Sequence, residues 1–281
     1  MSLLGALITN PPLVLQHRNI FLLSHMRANT SLFGHLMGSH PEVEGYYEMH
    51  IGYHSWRSLW RQKLLHFAKH GGKPGARYMF DKVLHDGHHV APALLQRPSS
   101  HTILMLRKPE QSIRSLVVLY REQAPHLPEA TAEGAAQYYI DRLATLDRTA
   151  STLNGRYFYL DAEALIGQTD ATLARLSGWL GLKSTIPSQY ETFSHTGHGN
   201  AGDHSSRLRS GQIDRSRSDY SRSHSRPTSR CIWSAAAKAL LRKRSKNSVG
   251  WLEPIGLAMW NALAKASFSR MAAAMYFPIS H

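Results

Sequence analysis

Residues 26–31 combine an arginine with two hydroxyl side chains in a short turn. They read Met-Arg-Ala-Asn-Thr-Ser, so that Arg27 precedes Thr30 and Ser31. A guanidinium is a permanent positive charge, and hydroxyl groups at the start of a helix add donors to the backbone N–H groups and the helix dipole. The turn therefore predicts a phosphate site, with an ordinary N-capped helix as the alternative. It is not a standard triphosphate loop, because the sequence has no G-x-x-x-x-G-K-[ST] string.

A second turn places Arg107 at the end of a strand and Pro109 at the start of a helix. Ser115 follows Arg107 by eight positions. Both side chains can then reach one bound anion beside the sheet. A plain strand-to-helix connection with one basic residue is the alternative when this turn is taken alone.

The elements that must position these turns are short apolar runs alternating with helical patterns. The predicted strands are residues 19–24, 77–81, 101–107 and 156–160, and the predicted helices are residues 30–39, 55–70, 109–122, 130–153 and 171–180. This alternation predicts an α/β fold with a mostly parallel central sheet and helices on both faces. Ligands bind such sheets at the carboxyl ends of the strands, where both turns lie.

Taken together, the two turns resemble the sulfotransferases that use 3′-phosphoadenosine 5′-phosphosulfate (PAPS). In that family a P-[KR]-S-G-T-[ST] loop binds the 5′-phosphosulfate, and an Arg followed eight positions later by a Ser binds the 3′-phosphate. Residues 26–31 are similar to the loop, and Arg107 with Ser115 is similar to the pair. Residues 163–182 and 202–213 are similar to two later segments of the family.

The resemblance extends from Ile20 to about residue 213 and implies a P-loop NTPase-like sulfotransferase fold. It implies that PAPS is the sulfuryl donor, with no metal required. The residues that it assigns to PAPS are Arg27, Ala28, Asn29, Thr30, Ser31, Arg107 and Ser115. The loop departs from the family pattern at Met26, Ala28 and Asn29, which replace Pro, Ser and Gly. We expect the substituted loop to take positive φ less readily than a glycine loop, although Asn tolerates that geometry better than most residues.

The reaction implied is sulfuryl transfer to a hydroxyl or amine of a small-molecule, lipid or glycan acceptor. Arg27 is expected to stabilise the leaving phosphate, and a base near the loop is expected to take the acceptor proton. Glu48 and His50 are the first candidates for that base, and Lys82 and His85 are the next. The resemblance implies that Lys82 contacts the acceptor or the leaving group. Surface positions without a catalytic role are the alternative for Glu48 and His50.

Several histidines and aromatic residues near these positions admit two interpretations. The run of His85, His88 and His89 also suggests a metal site, although no carboxylate stands in register with it. Aromatic residues on the expected acceptor side predict a platform for a sugar or lipid head group, with helix packing as the alternative for the tryptophans. These residues are Tyr46, Tyr47, Tyr53, Trp56 and Trp60.

Composition sets the remaining expectations. The 281-residue chain has one cysteine and no long uncharged apolar window, and its N-terminus lacks the features of a secretory signal, so we predict a cytoplasmic protein without a membrane span. The net charge of +14 is concentrated between Arg207 and Lys246. We therefore predict a sulfotransferase domain over residues 1–213 and a basic, Ser/Arg-rich region over residues 214–281. The oligomeric state is left open.

Two other function classes stay open. One is a kinase-like nucleotide transferase with the same strand-loop-helix plan, which would need a Lys-Ser/Thr pair and a metal-holding Asp that this sequence does not supply in place. The other is a degenerate sulfotransferase-like protein that binds polyanions through its basic tail, without specific nucleic-acid recognition.

Overall fold

The computed structural model describes residues 16–193, 196 and 206–214. These residues form two compact units. The first contains residues 16–106 together with those from Arg156 onward, and the second is Arg107–Gly155. Apart from Asp214, the predicted basic region over residues 214–281 lies outside the described residues, as does the N-terminal segment in which no secretory signal was expected. The predicted division at residue 213 stays a prediction.

The first unit contains a five-stranded sheet in which every strand pairing is parallel. The strands are β1 (Arg18–Ser24), β2 (Val43–Glu44), β3 (Tyr78–Val83), β4 (Ser100–Leu106) and β5 (Phe158–Asp161), in the order β2-β3-β1-β4-β5. The chain moves from β1 to one side of the sheet and later crosses to the other side, so β1 lies at the switch in direction. Ligands of open α/β sheets bind beside such a switch, at the carboxyl ends of the strands.

Seven α-helices occur within the described residues. They are α1 (Thr30–Ser39), α2 (Trp56–His70), α3 (Pro92–Leu95), α4 (Pro109–Gln123), α5 (Ala132–Leu153), α6 (Ala162–Gly167) and α7 (Thr169–Leu180), with short 3₁₀ segments at Pro128–Ala130 and Ser206–Ser210. None of the helices in the described ranges combines the length and apolarity needed to cross a bilayer.

The sequence located all five long helices and four of the five strands. Strand β2 and helices α3 and α6 were not predicted. The predicted helix over residues 130–153 divides at Thr131, whose hydroxyl oxygen accepts a 3.1 Å hydrogen bond from the Gly134 N–H and caps α5. Helix α7 ends at Leu180 as predicted, and Gly181 follows it in the left-handed conformation that a glycine allows (φ 66°).

Helices cover both faces of the sheet in the first unit, as expected. Ile20, Leu22 and Ile103 belong to one face, which forms the main core with α1, α6 and α7. On the opposite face Phe67 of α2 packs against Met79. Two apolar faces on one sheet require this arrangement, because an uncovered face would leave strand side chains in water.

The second unit contains α4 and α5, joined through the segment at Pro128–Ala130. Arg121 donates a 3.1 Å hydrogen bond from Nε to the Ala130 carbonyl oxygen. Tyr139 on α5 donates a 2.7 Å hydrogen bond to the Arg107 carbonyl oxygen. These contacts fix the start of α4 against α5.

Candidate functional site

The turn between β1 and α1 is tied to the sheet by Ser24. The Ser24 hydroxyl donates a 2.6 Å hydrogen bond to the Met105 carbonyl oxygen on β4, the residue with which Ser24 is in register. The chain therefore leaves β1 beside the end of β4, at the carboxyl edge of the sheet. Ala28, in the middle of the turn, is completely buried.

Two residues of this turn adopt the left-handed backbone conformation. Arg27 has φ 64° and Asn29 has φ 60°. A residue with a Cβ pays strain for this conformation, and such strain persists where the surrounding structure imposes it. Asn29 thus takes a positive φ, which asparagine was expected to tolerate better than most residues.

Asn29 also leaves a polar atom without a partner at the start of α1. Its carbonyl oxygen accepts the first hydrogen bond of the helix, 3.0 Å from the Phe33 nitrogen, but its side chain does not cap the helix. Its Nδ2 atom is buried and has no hydrogen-bond partner within the described part of the chain. A buried amide donor beside a helix N-terminus fits an anion, because both supply positive ends of dipoles.

Lys82 brings a second positive charge to this turn from β3. Lys82 is in register with Leu22 of β1 and has only 2% of its surface exposed. Its Nζ atom lies 3.5 Å from Oγ of Ser31 in the first turn of α1. A buried ammonium is stable only with polar or anionic partners, so Lys82 supports an anion site at the β1–α1 turn.

His35 occupies the next turn of α1 and was not predicted from the sequence. Its Nδ1 donates to the Ser31 carbonyl oxygen at 2.8 Å, and its Nε2 lies 2.8 Å from Oγ1 of Thr196. Burial lowers the pKa of His35, and the charge of Lys82 lowers it further. The pKa of His35 therefore depends on the charge of Lys82.

The loop before α2 holds the first candidates for the base. Glu48 is buried, and its Oε1 has no hydrogen-bond partner within the described residues. This oxygen lies 3.8 Å from Nδ1 of His50, whose backbone is left-handed (φ 52°) and whose side chain is 45% exposed. The structure thus places Glu48 and His50 side by side, with the imidazole toward solvent.

Asp81 lies beneath this loop and was also missed by sequence reasoning. It is 1% exposed and accepts hydrogen bonds from the Tyr53 hydroxyl and from the backbone N–H groups of Met49 and Lys82. Burial raises the pKa of Asp81 to about 7, and the charge of Glu48 adds to the rise while the three hydrogen bonds oppose it. The sequence does show a carboxylate within an apolar strand, which could have marked Asp81 as a candidate. Its partners Tyr53 and Met49 are distant in sequence, so its environment could not be predicted.

The aromatic residues of the predicted platform differ in exposure, and Tyr47 is half-buried. Tyr46 and Tyr53 are buried, with Tyr53 completely enclosed, so the prediction of an open platform is wrong for both. Trp56 and Trp60 are 56% and 40% exposed, so the alternative of helix packing is wrong for them.

The predicted histidine run is divided between two neighbours. His88 lies with its ring centroid 5.8 Å from that of His50, and His89 lies 4.6 Å from His54. Within the described ranges no group of three or more His, Cys, Asp or Glu side chains is arranged to hold a metal ion.

Arg107 and Ser115 belong to the second unit. Arg107 follows the last residue of β4, and its Nε donates a 3.1 Å hydrogen bond to Oε1 of Gln111. Gln111 and Ser115 are four residues apart on α4 and share one face of that helix. The Arg107 side chain therefore lies against the face that carries Ser115, while the assignment of both residues to a 3′-phosphate stays a prediction.

Comparison with known proteins supplies the class of fold. No protein-family model and no curated protein sequence matches the chain. Among solved structures, the chain is similar to a sulfotransferase domain from the curacin biosynthetic pathway, with a TM-score of 0.52 and 16% identity over 79% of this chain and 98% of that one. It is also similar to the sulfotransferase domain of an olefin synthase from Synechococcus PCC 7002, with a TM-score of 0.49 and 17% identity over 79% and 95% of the two chains. The first similarity, with the parallel sheet, shows that the chain has the P-loop-like sulfotransferase fold.

Proposed function

We propose that this protein transfers a sulfuryl group from PAPS to a hydroxyl or amine of a small-molecule, lipid or glycan acceptor. The observation that carries the proposal is the β1–α1 turn. There Asn29 takes the left-handed conformation at the position of the family glycine, and Lys82 brings its ammonium to 3.5 Å from the Ser31 hydroxyl. The sulfotransferase fold supports the same conclusion.

In this proposal the turn binds the 5′ end of the nucleotide. Arg27, Lys82 and the N-terminus of α1 supply positive charge, while Thr30 and Ser31 supply hydroxyl groups. Arg107 and Ser115 bind the 3′-phosphate. PAPS, when bound, supplies a sulfuryl group on a phosphate leaving group.

The residues of the turn would act mainly by electrostatic stabilisation. Negative charge develops on the leaving phosphate during transfer, and fixed positive groups stabilise it without rearranging. Arg27 and Lys82 are the groups that would do so. Because Lys82 is buried, its charge is screened less than that of a surface lysine.

Glu48 is the proposed proton acceptor. An ionised carboxylate is an acceptor only, and its Oε1 has no hydrogen-bond partner within the described residues. His50, 3.8 Å away, is the second group able to exchange the proton. The buried Glu48 is suited to remove a proton from the acceptor, and the exposed His50 is suited to release that proton to water.

Calorimetry with adenosine 3′,5′-bisphosphate in the absence of magnesium tests nucleotide binding. Arg107→Ala should weaken binding by about 2 kcal/mol or more, because a charged phosphate partner is lost. Arg114→Ala is the matched control, because Arg114 lies on α4, the helix that follows Arg107, with its side chain 78% exposed and paired with Glu110. Equal affinity of the wild type and Arg107→Ala would contradict the assignment.

The same measurement separates the other function classes. Magnesium-dependent ATP binding without binding of the bisphosphate would favour the kinase-like transferase. Binding that falls steeply with salt and is the same in Arg27→Ala and Arg107→Ala would favour a polyanion-binding tail.

A further inference from the structure

Helix α2 carries a stripe of exposed apolar side chains. Trp56, Trp60 and Leu64 follow one another at intervals of four residues and are 56%, 40% and 38% exposed. Residues four apart lie on one face of a helix, so the three side chains form a stripe about 12 Å long. Two indoles and a leucine on one exposed face are unusual on the surface of a protein that has no partner.

The charged side chains that α2 itself carries are all basic. Helix α2 contains no aspartate or glutamate, and its basic residues are Arg57, Arg61, Lys63 and Lys69. The Arg57 guanidinium lies 5.7 Å from the centre of the Trp56 ring, and the Lys63 ammonium lies 5.3 Å from that of Trp60. The charged ends of Arg57 and Lys63 therefore lie over the two indole rings, within the range of a cation–π interaction.

The opposite face of α2 is fixed to the sheet. Gln62 accepts a hydrogen bond from Asn19 and donates one to the Phe80 carbonyl oxygen, each 3.3 Å long. His66 lies 3.0 Å from the Glu44 carboxylate, and Phe67 is buried. The helix is thus anchored on one side, which presents the stripe outward in a defined orientation.

We propose that α2 is a docking surface for an anionic lipid membrane. Aromatic and leucine side chains on one face, bordered by arginine and lysine, are the composition of helices that lie in a membrane interface. Each basic residue near an anionic membrane surface adds attraction, whereas acidic residues, which would oppose it, are absent from α2.

The small extent of the stripe favours a lipid surface over a folded protein. A stable protein complex buries about 800 Å² on each partner and needs matching shape. Three side chains along about 12 Å of helix provide much less area. A lipid surface needs no shape complementarity, and indoles and long basic side chains suit its interface.

The test is co-sedimentation of the full-length protein with phosphatidylcholine vesicles that contain or lack phosphatidylglycerol. We expect binding only to the anionic vesicles. Leu64→Ser should reduce the partition coefficient about ten-fold, because a buried leucine side chain is lost. Its matched control is Leu127→Ser, because Leu127 is 39% exposed on the second unit and should leave binding unchanged.

Two variants that each remove one arginine charge give a second comparison. Arg61→Gln should reduce the partition coefficient about five-fold, while Arg148→Gln, which removes the same charge from an exposed position on α5, should have little effect. Quenching of tryptophan fluorescence by brominated lipid should also fall in Trp60→Phe, because this indole would enter the interface.

Three results would overturn the proposal. The first is no binding to anionic vesicles. The second is binding that is equal in wild type, Leu64→Ser and Arg61→Gln, because the basic segment outside the described residues would then carry it. The third is self-association of the wild type that Leu64→Ser abolishes, because the stripe would then join two copies of the chain. None of these measurements depends on sulfuryl transfer, so they are independent of the proposed function.

Discussion

The Tyr53 hydroxyl donates a 2.5 Å hydrogen bond to Oδ2 of Asp81, a carboxylate that is buried beneath the loop carrying Glu48. The backbone N–H groups of Met49 and Lys82 donate to Oδ1 of the same carboxylate, at 3.1 and 2.8 Å. Asp81 thus joins the proposed acceptor loop to the strand that carries Lys82. Burial raises its pKa to about 7, so its protonation changes in the neutral range.

The first prediction concerns the pH dependence that Asp81 gives to stability. Because the folded-state pKa of about 7 lies above the ordinary pKa of an aspartate, 3.8, the folded state holds a proton that the unfolded state loses between these values. The free energy of unfolding should therefore fall as pH rises from about 4 to about 7, by up to about 4 kcal/mol, and level off above. In Asp81→Asn, which does not titrate, urea unfolding should show a smaller fall over this range.

The control for Asp81 is Asp141→Asn, because Asp141 is exposed on α5. Its stability should follow the wild type across the whole pH range. If Asp81→Asn also runs parallel to the wild type, then the raised pKa of Asp81 is not the source of the pH dependence.

Lys82→Met tests whether the buried ammonium serves the β1–α1 turn. We expect affinity for adenosine 3′,5′-bisphosphate to fall by about 2 kcal/mol, because a charged hydrogen-bond donor is lost while the buried aliphatic stem is kept. The pKa of His35, lowered in the wild type by burial and then by Lys82, should rise in the variant. NMR titration of the His35 ring measures this change without ligand.

Lys183→Met is the matched control for Lys82, because it removes an equal charge from an exposed position. It should change neither the affinity nor the pKa of His35. An unchanged affinity in Lys82→Met together with a raised pKa of His35 would remove Lys82 from the anion site while confirming its proximity to the imidazole.

The helices and strands around the site could be predicted where neighbouring residues in the sequence themselves mark the start and end of the element. Helix α1 begins and ends at the predicted residues, Thr30 and Ser39, because hydroxyl residues mark its start and the Pro41 that follows cannot continue it. Strand β2 could not be predicted, because two residues carry no periodicity and the strand exists only through pairing with β3.

The site could be predicted only in part, for the same reason. Asn29 was expected to tolerate a left-handed backbone because asparagine does so better than most residues, but nothing about arginine indicates that Arg27 would share this conformation. Asp81 and His35 were not predicted as site residues, because the residues that contact them belong to distant segments of the chain. The Tyr53 partner of Asp81 is 28 positions away, and the Thr196 partner of His35 is 161 positions away.

Asn29→Gly and Asn29→Ala test the conformation of the turn. Glycine relieves left-handed strain, so Asn29→Gly should keep or raise stability and retain nucleotide affinity, whereas Asn29→Ala should lower stability by about 1 kcal/mol and weaken binding. Asn154 ends α5 with a similar left-handed backbone (φ 48°) and provides the comparison. Its Ala variant should lower stability without affecting affinity, as measured by urea unfolding and calorimetry. Equal nucleotide affinity in Asn29→Gly and Asn29→Ala would show that the turn geometry is not required for binding.

The last prediction concerns the close approach of α1 to the loop that carries Glu48. A Cβ added at Gly34 would lie 2.1 Å from the Tyr46 carbonyl oxygen, so no larger residue fits there without moving the helix or the loop. Gly34→Ala should lower the free energy of unfolding by about 3 kcal/mol, as overpacking does. Gly178→Ala is the matched control in α7, because a Cβ there meets no atom within 4 Å, and it should raise stability by about 0.5–1 kcal/mol. Urea unfolding measures both changes. If Gly34→Ala is as stable as the wild type, then the contact with Tyr46 does not fix the distance between α1 and the loop of Glu48.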